Sequence, residues 1–281
     1  MSLLLGLGLF AYTGLNPSWR TPESTCAEIQ SSPSPAILRV LALNVGKCGF
    51  YSSPLSLAEP GLVRTRMDSI ARVLVEEDIH IAFLSEIVWS SGLQKTNQVR
   101  YISNQAGMPY YVYGDNYRFG LPFLSVRTGN AILSRLPLRP HDVQELVGTS
   151  FFWNPTGNRR AVWADCTIWG ESVLLGSIRT DSFDLVNNAR QVRQLIRRIG
   201  SSTALLGGDF NAEPGDMPIV LVDELPTFIS VPNRTPTFPA HKPERCIDYL
   251  FAPSDWKLSG YKALHHFLSD HLAVVATFAR P

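Results

Sequence analysis

Short apolar runs of strand-forming residues recur along this chain, and several of them end on an acid, an amide or a histidine. Residues 37–43 run into Asn44, and residues 79–84 place Glu86 just past their end. Residues 203–206 lead into Gly207-Gly208-Asp209-Phe210-Asn211, residues 246–251 contain Asp248, and residues 272–278 begin directly after Asp270-His271. Runs of this length and composition read as buried strands. Residues 110–113 and 131–133 add strands, and residues 161–168 and 172–178 predict a hairpin around Trp169-Gly170. Two segments carry the helical period instead. Residues 63–77 put Val63, Met67, Ile70, Ala71 and Leu74 on one stripe, and residues 188–199 turn Ala189, Val192, Leu195, Ile196 and Ile199 inward. Strands dominate and do not alternate strictly with helices, so an α+β layered fold is expected rather than a doubly wound parallel sheet.

Composition supports a packed core. Apolar residues make up 45% of the 281 and charged residues only 17%, which excludes a chain disordered throughout. The net charge of +1 argues against a dedicated nucleic-acid binder, whose affinity rests on a basic excess. It leaves room for an enzyme that meets nucleic acid briefly. No dinucleotide-binding glycine motif, P-loop, zinc-protease helix or serine-hydrolase elbow is present, which removes those readings. Cys26, Cys48, Cys166 and Cys246 are scattered and form no metal-binding pair, so free, buried thiols are expected.

The chain divides into residues 1–36, an apolar leader with a Pro/Ser-rich linker, and a folded domain over residues 37–281. The leader is apolar and uncharged from Leu3 to Leu15, too short to cross a ~30 Å hydrocarbon core comfortably. Three readings of it stand: a signal-peptide core lacking its positive flank, the remnant of a longer membrane segment, or a disordered leader. Localisation follows the same fork: exported or membrane-associated through this segment, or cytoplasmic.

Strand ends are rigid, and their loops converge on one mouth. Asn44, Glu86, Asp209, Asn211, Asp248, Asp270 and His271 all lie at such ends or beside them. Carboxylates, amides and a histidine gathered there suit a hard cation and a phosphate. Mg²⁺ takes one or two carboxylates, keeps several waters and draws the rest of its shell from substrate oxygens.

The segments Leu43-Asn44-Val45, Leu84-Ser85-Glu86-Ile87-Val88, 129–137, Gly208-Asp209-Phe210-Asn211, Ile247-Asp248-Tyr249 and Ser269-Asp270-His271 together resemble the endonuclease/exonuclease/phosphatase superfamily of metal-dependent phosphoesterases. The resemblance spans residues 37–278 in family order. It implies a four-layer α/β/β/α sandwich, with two packed mixed β-sheets flanked by helices. It also implies roles: Glu86 as the main metal ligand with Asn44 beside it, and Asp270 as a carboxylate near the metal or phosphate. Asp209 would orient or deprotonate the attacking water, and Asn211 would hold Asp209 and a phosphate oxygen. His271 would contact the scissile phosphate, buttressed by Asp248. The implied cofactor is Mg²⁺, with Mn²⁺ as the alternative.

One position departs from the pattern. Many family members carry a second histidine where this chain has Arg179. Arginine cannot shuttle a proton near neutral pH but can clamp a phosphate. The expectation is that Arg179 binds substrate phosphate and, with water on the metal, stabilises the leaving group. A structural salt bridge to Asp181 or Asp184 is the plainer reading. The alternative function is a catalytically impaired relative acting as a binding module.

The expected activity is hydrolysis of a phosphoester, with nucleic acid, phospholipid and small phosphoesters all open. No obligate protein partner is evident, and a monomer is expected. Arg190, Arg193, Arg197 and Arg198 on one helix face, with Arg159 and Arg160, form the best nucleic-acid feature, although a solvated helix face is the plainer reading. Two aromatic stretches, residues 119–124 and 151–153, point instead toward an apolar or membrane-borne substrate if exposed beside the site. His265 and His266 are expected on a surface loop.

Overall fold

The computed structural model describes residues 21–25, 34–49, 51–53, 56–57, 59–91, 97–119, 126–148, 158–230 and 235–280. The leader at residues 1–20, Cys26 and the aromatic stretches at 120–124 and 151–153 lie outside them. In chain order the elements are β1 (Glu23–Ser24), β2 (Ile37–Asn44), β3 (Tyr51–Ser53), β4 (Ser56–Leu57), α1 (Pro60–Glu76), β5 (Ile81–Ser91), α2 (Gln98–Gln105), β6 (Tyr110–Phe119), β7 (Val126–Ser134) and β8 (Leu138–Glu145). They continue as β9 (Arg160–Ile168), β10 (Glu171–Arg179), α3 (Leu185–Ile199), β11 (Ala204–Asp209), α4 (Met217–Asp223), β12 (Phe228–Ser230), β13 (Asp248–Pro253), β14 (Lys257–Leu264) and β15 (Ala273–Ala279). Among the described residues no helix is long and apolar enough to cross a membrane.

Two mixed sheets form the centre. One has the order β1-β6-β7-β5-β2-β15-β14 and the other β12-β13-β11-β10-β9-β8. Apolar side chains on both faces of the inner strands create three separate cores. Along β2, Leu41 and Leu43 face α1 and its Val63, Met67, Ile70 and Leu74. The alternate residues Val40 and Ala42 face the other sheet, with Phe83, Leu175, Leu205 and Leu250. Beyond that sheet, Val192, Leu195 and Ile199 of α3 join Trp163, Leu206 and Phe251 in the third core. Three cores separate four layers, so the expected sandwich is the fold observed. A strand buried on both faces is apolar throughout, which is why these runs show no polar alternation.

The faces meet closely at Gly207. A Cβ there would stand 2.3 Å from Phe83 of the opposite sheet and 3.0 Å from Leu250. The next residue, Gly208, has φ +146, and a Cβ would collide with the Ile178 carbonyl oxygen at 1.9 Å. Both glycines therefore set how closely β11 approaches its neighbours, immediately before Asp209.

Several elements differ from the sequence reading. Glu86 lies inside β5 rather than past a strand end, because β5 continues to Ser91 across a bulge between Leu84 and Ile87. Helix α3 begins at Leu185, capped by Asp184, whose carboxylate accepts the Val186 and Asn187 N–H groups. Strands β8 and β14 had no strong sequence signal. Both are sheet edges, and their exposed residues give no apolar run. Glu23–Ser24, within the linker stretch, pairs with Tyr113 and Val112 of β6. Ser34 and Pro35 accept the backbone and indole N–H groups of Trp169 at 2.8 and 2.7 Å. Cys48, Cys166 and Cys246 are buried and in no disulfide.

Gly207→Ala is expected to lower stability by about 1–3 kcal/mol through overpacking against Phe83. Denaturant unfolding measures it, and an unchanged midpoint would show that the sheets do not pack this tightly.

Candidate active site

Topology brings the strand-end residues to one edge. Strands β2 and β5 are parallel with Asn44 opposite Ser85, so Asn44 at the end of β2 and Glu86 at the bulge within β5 lie side by side. Strand β15 runs antiparallel to β2, so His271, just before it, returns to that side. In the second sheet β10 and β11 are parallel with Arg179 opposite Asp209, and antiparallel β13 places Asp248 opposite Asp209. Each sheet thus supplies half of the constellation.

Asn44 joins the halves. Its Nδ2 donates to Glu86 Oε1 at 3.1 Å and to Asp209 Oδ2 at 3.0 Å, and lies 3.4 Å from His271 Nε2. Asn44 Oδ1 accepts the Gly46 N–H at 3.0 Å, which turns the amide nitrogen toward the carboxylates. His271 Nδ1 meets Asp248 Oδ2 at 2.9 Å, and Thr237 Oγ1 donates to the same oxygen at 2.6 Å. The Asn211 backbone N–H donates to Asp209 Oδ1 at 3.1 Å, while its side-chain Nδ2 donates to the Thr180 carbonyl at 3.0 Å. Asn211 thus holds Asp209 through its backbone. Glu86 and Asn211 sit at φ 55 and 48, a conformation that is rare for residues other than glycine.

Arg179 does not pair with Asp181 or Asp184. Its Nη2 meets Glu86 Oε1 at 2.6 Å, and its Nε stands 3.6 Å from Asp209 Oδ2. Asp181 instead accepts the Phe183 N–H and the Asn187 amide. Lys47, which the sequence reading passed over, forms an ion pair with the other oxygen of Glu86. Its only sequence signal was its position three residues after Asn44.

These contacts set the protonation states. Burial pushes the Glu86 carboxyl up, but Arg179 and Lys47 together overrule it and hold the group well below the usual carboxylate range. Burial would lower the His271 pKa, yet the charge and hydrogen bond of Asp248 raise it to about 9. Burial raises the Asp209 pKa, with His271 and Arg179 opposing the rise and Asp248 adding to it.

Beside Glu86 opens a cleft of about 250 Å³, lined by Lys47, Asn116, Tyr117, Thr128, Arg159, Arg179, Ser182 and Phe183. Arg159 is buried in its wall, and burial, then Arg179, lowers its pKa to about 10. Three atoms of the lining residues are buried without a hydrogen-bond partner: Arg179 Nε, Thr128 Oγ1 and Asn116 Oδ1. Such atoms cost roughly 1–3 kcal/mol each. Arg160 is also buried, donating to the Asp115 carbonyl at 2.8 Å. Arg159 and Arg160 therefore do not extend an exposed arginine face. Arg190, Arg193, Arg197 and Arg198 are exposed on α3, and His265 and His266 are exposed as well.

Asp270 stays at the rim. It is exposed, and its Oδ1 lies so near Gly46 that a Cβ there would be 2.8 Å away. Among the described residues the one group of three or more His, Cys, Asp or Glu ligand atoms close enough for a metal is Asp209, Asp248 and His271, within 4.8 Å of one another. Asp248 and His271 spend one atom each on their mutual hydrogen bond, which leaves fewer atoms of this buried acidic/histidine group for a cation. Glu86 is the other candidate for a hard cation, an ionised carboxylate, but Lys47 holds one of its oxygens and Arg179 and Asn44 the other, so a divalent ion there would take the place of one of these partners. Asn44 presents an N–H rather than an oxygen toward Glu86, which differs from the metal-ligand role the resemblance implies, since a cation needs the oxygen.

The model of the Endonuclease/Exonuclease/phosphatase family matches residues 41–271. No curated protein matches the chain. Among solved structures, an endonuclease/exonuclease/phosphatase from Beutenbergia cavernae is 19% identical with a TM-score of 0.68, over 87% of this chain and 72% of that one. A humanized D. rerio TDP2 is 15% identical with a TM-score of 0.63, over 88% and 100%. The Bacteroides thetaiotaomicron mannosyl-6-phosphatase Bt3783 is 14% identical with a TM-score of 0.63, over 86% and 100%. At these identities the structures speak to the fold. The family match, running from β2 to His271 through every strand end that contributes to the site, makes this chain a member of the endonuclease/exonuclease/phosphatase family.

Proposed function

We propose that the chain is a Mg²⁺-dependent hydrolase of phosphoester bonds, with Mn²⁺ as the alternative ion. The observation that carries this reading is the Asn44 bridge. One amide nitrogen ties Glu86 of the first sheet to Asp209 of the second, with His271 alongside. A carboxylate for a cation, a carboxylate for water and a histidine for phosphate thus share one edge. Glu86 would hold the divalent ion, its shell completed by water and substrate, and the ion would neutralise charge building on the phosphoryl oxygens.

The chain's own residues account for the remainder. Asp209 is held at both oxygens, by Asn44 and the Asn211 N–H, and burial makes it more basic than a surface carboxylate. It is the group to orient a water and take its proton as oxygen attacks phosphorus. His271 keeps its proton well above neutrality, so it donates and supplies positive charge rather than acting as a base. Asp248 holds the ring by Nδ1 and leaves Nε2 toward Asp209 and the phosphate. Arg179 supplies a fixed charge where no proton can be exchanged. It would neutralise the phosphate and the departing oxygen.

Aryl phosphate hydrolysis with added Mg²⁺ tests the reading. Activity should vanish with EDTA and return with Mg²⁺ or Mn²⁺. Glu86→Gln is expected to raise the metal concentration needed for half-maximal activity. His271→Ala is expected to lower turnover by roughly 10²-fold or more. Wild-type rates in both variants would defeat the assignment, and no turnover of any phosphoester would favour the binding-module alternative.

The His271–Asp248 pair adds a pH prediction. The folded ring holds its proton to about pH 9, whereas an unfolded histidine releases it near about 6.5. The pair therefore stabilises the fold fully below about pH 6.5, and this contribution is lost as pH rises through about 9. In metal-free protein, NMR titration of the His271 ring should show a high pKa that falls in Asp248→Asn. The stability gap between wild type and Asp248→Asn should narrow from pH 7 to about pH 10.

A further inference from the structure

We infer that Phe183 selects the substrate: the cleft beside Glu86 receives a flat, uncharged ring carried on the phosphoester, and Phe183 is the side chain that lies against it. This rests on the hydrolase reading above and names the substrate class for the same site. The cleft and the place of reaction are neighbours. Asp209, Asn211 and His271, the groups that act on the phosphate, are not among the cleft's lining residues. Glu86 and Arg179 line it, and both reach the constellation around Asp209. A phosphate seated at that constellation has the cleft open beside it, and what fills the cleft is the organic part of the ester.

A single exposed apolar side chain needs no explanation by itself. Phe183 differs in position and in rigidity. It is 84% exposed, the most of any large apolar side chain among the described residues, and it lines the cleft. Its backbone is fixed by a buried polar knot. The Asp181 carboxylate accepts the Phe183 N–H at 2.8 Å, the Asp184 N–H at 3.3 Å and the Asn187 amide at 2.7 Å. The Asp181 carbonyl accepts the Asn188 amide at 2.8 Å, and the Asp181 N–H donates to Gln191 Oε1 at 2.8 Å. Asn187, Asn188 and Gln191 are all buried. On either side of Phe183, Ser182 Oγ accepts from Arg159 at 3.1 Å and Asp184 caps α3. The turn therefore presents Phe183 at one place, and an aromatic side chain held in place offers contact area at little entropic cost.

The size and chemistry of the walls favour a flat ring over an alkyl chain. A cavity of roughly 150 Å³ takes up benzene, so about 250 Å³ has room for a ring with a substituent. Tyr117 brings a second aromatic side chain from β6 of the first sheet, while Phe183 comes from the loop after β10 of the second. Arg159 and Arg179 line the cleft as well. Aromatic rings attract one another through edge and face, and a planar guanidinium stacks on a ring face. The exposed Leu185 and Val186 next to Phe183 are not among the lining residues, so the apolar contact offered inside the cleft is aromatic in kind.

Calorimetry on the full chain with Mg²⁺ tests this, using phosphonates whose P–C bond is not hydrolysed. Benzylphosphonate is expected to bind about threefold to tenfold more tightly than cyclohexylmethylphosphonate, its non-planar counterpart. Phe183→Ala should remove that preference and Phe183→Tyr should keep it. In turnover, Phe183→Ala should raise KM for p-nitrophenyl phosphate several-fold more than KM for methyl phosphate. With EDTA in place of Mg²⁺, thymidine 5′-monophosphate is compared with deoxyribose 5-phosphate. A preference for the nucleotide that Phe183→Ala abolishes assigns the ring to a base on a sugar. A preference confined to the benzyl compound assigns it to an aryl ester, and both results support the ring cleft. Equal binding of the benzyl and cyclohexylmethyl compounds, or a preference that survives in Phe183→Ala, overturns the ring cleft and leaves the hydrolase reading intact. Release of Phe183→Ala from phosphatidylserine vesicles, with no ring preference in the wild type, also overturns it and makes Phe183 part of a lipid-facing surface. Ring-selective binding without turnover of any phosphoester supports the ring cleft and overturns the hydrolase reading.

Discussion

Asn44 Nδ2 shares its two N–H bonds between carboxylates that belong to different sheets. Glu86 and Asp209 would otherwise repel across the gap between β5 and β11. A neutral amide between them adds no charge and satisfies one oxygen of each. The bond to the Gly46 N–H fixes which end of the amide faces inward. The sandwich must bring its two sheets into register at this edge for that geometry to exist. The close approach at Gly207 and Gly208, immediately before Asp209, is part of how it does so.

Around that bridge the site is a balance of permanent charges. Arg179 and Lys47 keep Glu86 ionised in spite of burial, and Asp248 keeps His271 protonated in spite of burial. These two buried charges are thus each matched to a charged partner, as the desolvation cost of an unmatched one demands. Arginine at position 179 fits this scheme physically. It cannot give up a proton, but its planar head reaches Glu86 and Asp209 together, from the strand register that sets it opposite Asp209.

Much of the fold was legible because a strand buried on both faces must be apolar along its length. Strands β2, β5, β11 and β15 read in this way, as did the stripe of α1. What escaped were elements whose partners decide their state. Strands β8 and β14 lie on sheet edges and bury few of their residues, so nothing in their composition marks them. The placement of Glu86 within β5 escaped for a different reason. A bulge depends on pairing with β7, and pairing is invisible in one strand alone.

The order of apolar runs and the polar residues that close them are properties of the sequence by itself. They were enough to predict an α+β layered fold and to single out Asn44, Glu86, Asp209, Asn211, Asp248, Asp270 and His271, while the two packed sheets were implied by the family resemblance. Which of these touch, and what else joins them, was decided only in three dimensions. The Asn44–Asp209 bond spans 165 residues, and no local pattern carries information over that distance. Lys47 and Arg159 became part of the site for the same reason. A cation's role is set by the field around it, and that field exists only when both sheets have closed on one edge.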